Sequence, residues 1–128
     1  MKIKTFLKPV LALSFLVMLS CSSSNDDGSS NEFPKTVSIT YKVKSTNTTT
    51  AQAISYKNDT GGTTMATNVD LPFSVSITRI VNQNDDASVG FSSTTQNANV
   101  TLEILVDGTV VKTQNFTSGT GAMAYIFQ

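Results

Sequence analysis

Asn82, Asn84, Asp85 and Asp86 form the densest cluster of oxygen-bearing side chains in the chain. A hard cation such as Ca²⁺ takes roughly six to eight oxygens, and one loop can supply several of them. The spaced ligand pattern of a calcium-binding hand, with its central glycine, is missing here, and a solvated loop accounts for the same residues. Asp59, Asp70 and Asp107, like Asp85 and Asp86, fall at turns or strand ends, where aspartate serves the backbone. The sequence has no histidine, which removes the Ser-His-Asp and Cys-His constellations and the usual zinc ligands. Gly61-Gly62-Thr63-Thr64 lacks the lysine and the following helix of a phosphate loop. Tyr41, Tyr56 and Tyr125 could stack on a sugar, but Tyr41 and Tyr56 fall in the apolar register of their segments, which predicts buried rings with hydroxyls at the edge. The expectation is a protein that is not an enzyme and has no cofactor.

The remaining reactive group is the thiol of Cys21, the sole cysteine. Its position is informative. A short basic start, Met1-Lys2-Ile3-Lys4, precedes an almost wholly apolar run that ends Leu16-Val17-Met18-Leu19, and Ser20 then leads into Cys21. This is the order of a secretory signal: basic region, apolar region, small residue at the cut. The run is short for a membrane span, which takes roughly 20 apolar residues. A cysteine directly after the cut resembles the lipobox of bacterial lipoproteins. The resemblance implies that residues 1–20 are a signal peptide, that Cys21 is lipidated, and that the mature chain is held in the cell envelope, at the outer membrane, by that lipid.

Removing Lys2, Lys4 and Lys8 with the signal leaves six basic residues against nine acidic ones, a net charge of −3. A weakly acidic domain lacks the basic footprint of a nucleic-acid binder, so no nucleic-acid partner is expected. It also has no polybasic patch for anionic lipid. With one cysteine, no internal disulfide can form, and the fold rests on its core alone.

Residues 21–35 carry Cys21 and a run rich in serine, asparagine and aspartate, with Phe33 its bulky exception. Such a composition buries too little surface to offset its ordering entropy and reads as a flexible tether. Asp26 and Asp27 read either as plain solvated linker or as an export signal like that of surface lipoproteins.

From Thr36 the period becomes two. Val37, Ile39, Tyr41 and Val43 alternate with Ser38, Thr40 and Lys42, giving one apolar and one wet face. Ile54 and Tyr56 share a face of the next segment. Asn58-Asp59-Thr60-Gly61-Gly62 is a turn cluster, and Thr63 to Thr67 could be a short return strand. Phe73, Val75 and Ile77 alternate after Leu71-Pro72, with Arg79 breaking the apolar row before Val81. Val89 and Phe91 mark a short strand. Val100, Leu102, Ile104 and Val106 alternate up to Asp107-Gly108, after which Thr109-Val110-Val111 resumes. Asp-Gly between alternating runs is a strong hairpin signal, because a type I′ turn needs positive φ at both central residues. Ala122 to Phe127 is apolar on both faces, which predicts a central strand or one covered by a partner.

About seven strands with no helix after the signal predict an all-β fold: an antiparallel, seven-stranded, Ig-like β-sandwich over residues 36–128. The cysteine pair and tryptophan of antibody domains are absent, so the likeness is one of architecture.

Several segments together carry a further resemblance. They are Ile54-Ser55-Tyr56 before Gly61-Gly62, then Asn68-Val69 and Leu71-Pro72-Phe73, then Val100-Thr101-Leu102-Glu103-Ile104-Leu105-Val106-Asp107-Gly108 leading into Val110-Val111-Lys112, and Gly119 to Ala124. This order resembles the MmpS family, small accessory proteins of MmpL-type export pumps whose exported domains are β-sandwiches. Those proteins carry a cysteine pair in the C-terminal half, with Leu102 standing where one of the two would fall, a tryptophan where Phe73 stands, and an N-terminal membrane helix where this chain has Cys21. The resemblance implies an accessory or scaffold for an envelope transport or assembly complex, with an envelope protein as partner. A surface module binding glycans or host or neighbour proteins is the alternative.

Overall fold

The computed structural model describes residues 32–128. Eight strands follow one another: β1 (Lys35–Ser45), β2 (Thr50–Lys57), β3 (Thr63–Asp70), β4 (Phe73–Val81), β5 (Asp86–Ser92), β6 (Val100–Val106), β7 (Thr109–Phe116) and β8 (Thr120–Ile126). They build two four-stranded antiparallel sheets, ordered β4-β1-β6-β7 and β3-β2-β5-β8. The expected all-β sandwich is present, with eight strands where about seven were expected. The difference lies mainly in residues 63–70, where the expected short return strand is a full one, paired with β2 from Thr63↔Lys57 to Asp70↔Thr50. Its polar composition hides it in the sequence, because an edge strand exposes much of its length.

Alternation explains the core. The β1 residues Val37, Ile39, Tyr41 and Val43 are buried, while Thr36, Ser38, Lys42 and Lys44 are exposed. Beside them lie Leu102 and Ile104 of β6, and across the interior Ile54 of β2 with Val89 and Phe91 of β5. Two central strands per sheet thus supply most of the buried apolar surface, worth about 25 cal/mol per Å² removed from water.

Two connections are hairpins within a sheet, β2–β3 and β6–β7; the rest pass from one sheet to the other. In the first hairpin the Asn58 side-chain carbonyl accepts from the N–H groups of Thr60 and Gly62 at 3.0 and 3.1 Å, and Gly61 takes φ 85°. In the second, Asp107 and Gly108 have φ 50° and 85°, as the Asp-Gly signal requires. The turn is also docked on β1: Ser38 N–H donates to Asp107 Oδ1 at 2.9 Å, and Asp107 N–H donates to the Ser38 carbonyl at 2.8 Å. Gly108 has open space around it, so a side chain there meets backbone strain and nothing else. Gly108→Val should therefore destabilise the domain by about 1–3 kcal/mol. An unchanged melting temperature would show that the turn tolerates a β-branched residue at positive φ.

The last strand corrects an expectation. β8 is an edge strand, not a central one. Met123 and Phe127 face the core, whereas Ala122 is exposed and Ile126 keeps 44% of its surface in solvent. The apolar outer residues of β8 are small or exposed, and no element of the described chain covers them.

Candidate functional site

Cys21, the lipidation candidate, and the tether to Asn31 lie outside the described residues. Asn82, Asn84, Asp85 and Asp86 do come together, in the turn from β4 to β5. Asn84 adopts φ 73°, in the left-handed region that asparagine tolerates better than most residues. The turn closes on itself through Asp85 N–H to the Asn82 carbonyl at 3.1 Å and Asn82 N–H to Asp85 Oδ2 at 2.8 Å. It also holds the end of the chain: Asn84 N–H donates to the Phe127 carbonyl at 2.7 Å, and Phe127 N–H to the Asp85 carbonyl at 2.8 Å.

Both carboxylates of this turn face a cation. Asp86 pairs with Lys57 at the end of β2. Asp85 Oδ2 lies 3.7 Å from Arg79 Nη2, and Arg79 Nη1 donates to the Asp86 carbonyl at 2.7 Å. The arginine that interrupts the apolar row of β4 is thus turned inward and only 8% exposed. Its guanidinium also lies against Gly61 of the β2–β3 turn, with Nη2 3.5 Å from where a Cβ would stand. Two cations and two carboxylates make the group neutral and join the β2–β3 turn, β4, β5 and the C-terminal residues. This geometry does the work of a clamp. Among the described residues no group of three or more His, Cys, Asp and Glu side chains comes together around a possible metal position.

The three tyrosines do not form one surface platform. Tyr41 is fully buried, and its hydroxyl donates to the Lys57 carbonyl at 2.8 Å. Tyr56 is tilted against it at 5.5 Å between centroids, and Phe73 follows at 6.2 Å. Tyr125 meets Phe127 edge-on at 5.1 Å on β8. Burial pushes the Tyr41 hydroxyl up to about 12 from its ordinary 10, against a smaller downward pull from Arg79. The proton is therefore held more tightly in the folded state. Below pH 10 both states keep it and stability does not depend on this group. As pH rises from 10 towards 12 the unfolded chain ionises first, so stability is lost. Tyr41→Phe should flatten that alkaline loss, measured as melting temperature between pH 9 and about 11.5. Parallel losses in both proteins would show that Tyr41 is not its source.

Shallow concavities on the outer faces of the sheets include the following two. One, of about 250 Å³, crosses the β3-β2-β5-β8 sheet along a row in register: Met65, Ser55, Gly90 and Ala122. Its depth comes from small side chains at the centre and the 66% exposed Met65 at the rim. A Cβ on Gly90 would stand 3.3 Å from Ser55 Oγ and from the Ala122 Cβ. The other, of about 350 Å³, lies beside Lys42, Lys44, Glu103 and Phe73, with a Lys44–Glu103 ion pair of 3.7 Å. Neither brings two carboxylates together. The four strand edges are the other accessible features of this fold.

Sequence reading located the turn at 82–86 but not the roles of Arg79 and Lys57 in it, since both act on residues distant in the chain. The break that Arg79 makes in the apolar row of β4 was the signal. Compared with known proteins, the chain matches no family model and no curated protein.

Proposed function

We propose that this chain is a lipid-anchored, non-catalytic protein of the cell envelope. Its sandwich acts by protein–protein contact, as an accessory or scaffold for an envelope transport or assembly complex, in the way the MmpS-like resemblance implies. The observation that carries the reading is the placement of Cys21 directly after a basic start, an apolar run and Ser20. The fold is consistent with a docking role, since antiparallel sandwiches present sheet faces and strand edges to partners. No helix among the described residues is long and apolar enough to cross a membrane. In this reading the lipid on Cys21 is the attachment to the membrane, and acyl chains at about 0.8 kcal/mol per buried methylene hold far more firmly than the weak charge of the domain.

Cys21→Ser should move the protein from the membrane to the soluble fraction of cells expressing it, and should abolish incorporation of labelled fatty acid. A variant that still fractionates with membranes as the wild type does would end the anchor reading. Cross-linking in intact cells then identifies the partner class. An envelope transport or assembly protein fits the proposal, and capture of a glycan or a host protein overturns it.

A further inference from the structure

Each sheet ends in two edge strands, β4 and β7 in one and β3 and β8 in the other. An edge presents unpaired N–H and C=O groups to any strand that approaches. β7 and β8 are tied to each other, since Lys112 Nζ donates to the Ala124 carbonyl at 2.8 Å, and a bulge lies between β7 and the Ile104/Leu105 positions of β6. β3 bends through Asn68 at φ 54°, and its inner row, Thr64 and Ala66, offers little apolar surface. β4 differs. From Phe73 to Thr78 it pairs with β1 without a shift and holds no charge, no proline and no positive φ. Phe73, Val75 and Ile77, on the inner side of that stretch, are only half-buried. Buried Arg79, and Lys35 opposite Val81, lie beyond it.

The outer side of the same stretch discriminates by charge. Lys42 of β1 stands opposite Ser74, and the concavity of about 350 Å³ opens beside Lys42, Lys44, Glu103, Phe73 and Ser74. The other basic side chains of the domain have partners. Lys44 pairs with Glu103, Lys57 with Asp86 and Arg79 with Asp85, Lys112 donates to the Ala124 carbonyl, and Lys35 lies over the Phe33 ring. Lys42 has neither an ion pair nor a hydrogen bond among the described residues. Glu103 is its neighbour across β1 and β6 but pairs with Lys44, so this concavity keeps one positive charge in a domain of net charge −3. Ser74 is small and exposed, and the long stem of Lys42 can carry its ammonium across it to the open edge.

We propose that the β4 edge from Phe73 to Thr78 takes an extended, acidic segment of the envelope partner as an added strand, and that a carboxylate of this segment, opposite Ser74, is held in the concavity by Lys42. The backbone of β4 supplies the pairing, as in other strand additions, and side chains supply the choice. On the inner side, apolar residues of the segment cover Phe73, Val75 and Ile77. On the outer side, the place opposite Ser74 favours a carboxylate by attraction to Lys42 and disfavours a lysine or arginine by repulsion. β4 itself carries no carboxylate, so pairing with the same strand of a second copy would leave Lys42 unanswered. This inference rests on the reading of the domain as a contact module, and adds to it the chemistry of the segment that is bound.

The probes are three synthetic peptides of about nine residues, each alternating valine and threonine. One has a central glutamate in a threonine position, the second a lysine there, and the third the glutamate with prolines in place of the flanking valines. Each is titrated to about 2 mM into the full chain in detergent at low salt, and hydrogen exchange is read at all four edges. The glutamate peptide should protect the outward amides of β4 and leave those of β3, β7 and β8 unchanged. It should bind about fivefold more tightly than the lysine peptide, a preference that falls as salt is raised. The proline peptide should not bind, because it cannot complete the ladder. Lys42→Gln, an exposed position, should bring the glutamate and lysine peptides to within about twofold of each other. Equal binding of those two peptides by the wild type, protection at another edge in place of β4, or no protection at all overturns the inference. The wild-type comparison decides the matter if the variant does not fold. Cross-linking in cells judges the contact-module reading separately: an envelope protein attached at a site away from β4 keeps that reading and overturns this one.

Discussion

Arg79→Ala should destabilise the domain by roughly 3 kcal/mol and lower its melting temperature by more than about 10 °C. Two losses add. The first is the charge-assisted hydrogen bond from Nη1 to the Asp86 carbonyl, worth about 1.5–3 kcal/mol, whose loss leaves that oxygen short of a partner. The second is the packing of the aliphatic stem, which sits in the inner row of β4 between Ile77 and Val81. The ion pair with Asp85 adds little, because at 3.7 Å and with the carboxylate one-third exposed it is well screened. Arg79→Met separates the contributions, since it keeps the stem and loses the hydrogen bond, and it should fall near the midpoint between wild type and alanine. A melting temperature for Arg79→Ala within about 2 °C of wild type would show that the clamp does not secure this end of the sandwich.

A comparable loss is expected at Gly121, from crowding. The inner side of this glycine faces the Phe91–Phe116 pair, whose rings meet edge-on at 5.8 Å. A Cβ at Gly121 would stand 2.6 Å from Phe116 Cγ and 2.8 Å from Phe91 Cε1, closer than nonbonded carbons approach. Phe116 Cγ is the root of its ring, so the clash cannot be relieved by swinging a flexible tip. Gly121→Val should cost about 3 kcal/mol, at the upper end for overpacking. Trimming the obstacle tests the cause: Phe116→Ala, which removes Cγ and the ring, should cost less in the Gly121→Val background than in the wild type, a non-additivity of at least about 0.5 kcal/mol. Strict additivity of the two substitutions would place the strain somewhere other than this contact.

The strands that alternate cleanly were legible in the sequence. Val37 to Val43 and Val100 to Val106 announce themselves because each has one buried and one exposed face and lies at the centre of its sheet. Asp107-Gly108 was legible for a local reason, positive φ at two successive residues. β3 was underestimated because its alternate residues carry polar side chains, and its membership of the sheet is fixed by pairing with β2. The position of β8 was unreadable for another reason. Two apolar faces are the mark of a central strand, but the outer face here is made of Ala122 and Ala124, small enough to stay at an edge, with Ile126 left in solvent. At the β4–β5 turn the residues were found and their partners were not. Lys57 and Arg79 reach it from other strands, and only the fold makes them neighbours.

The placement of β1 between β4 and β6 sets an order on the folding of this chain. The first strand to be synthesised has no partner until the fourth appears: Val37 waits for Arg79 and Val43 for Phe73. The β2–β3 hairpin can close as soon as its turn is made, but it belongs to the other sheet. Until Phe73 is free of the ribosome, the apolar row Val37, Ile39, Tyr41 and Val43 has no strand of its own sheet to pair with, and the row is not fully paired until Arg79 follows. Pairings this distant in sequence are slow to form, because loop closure costs entropy before any contact repays it. For that interval the apolar row of the nascent chain is a natural place for a holding chaperone to bind.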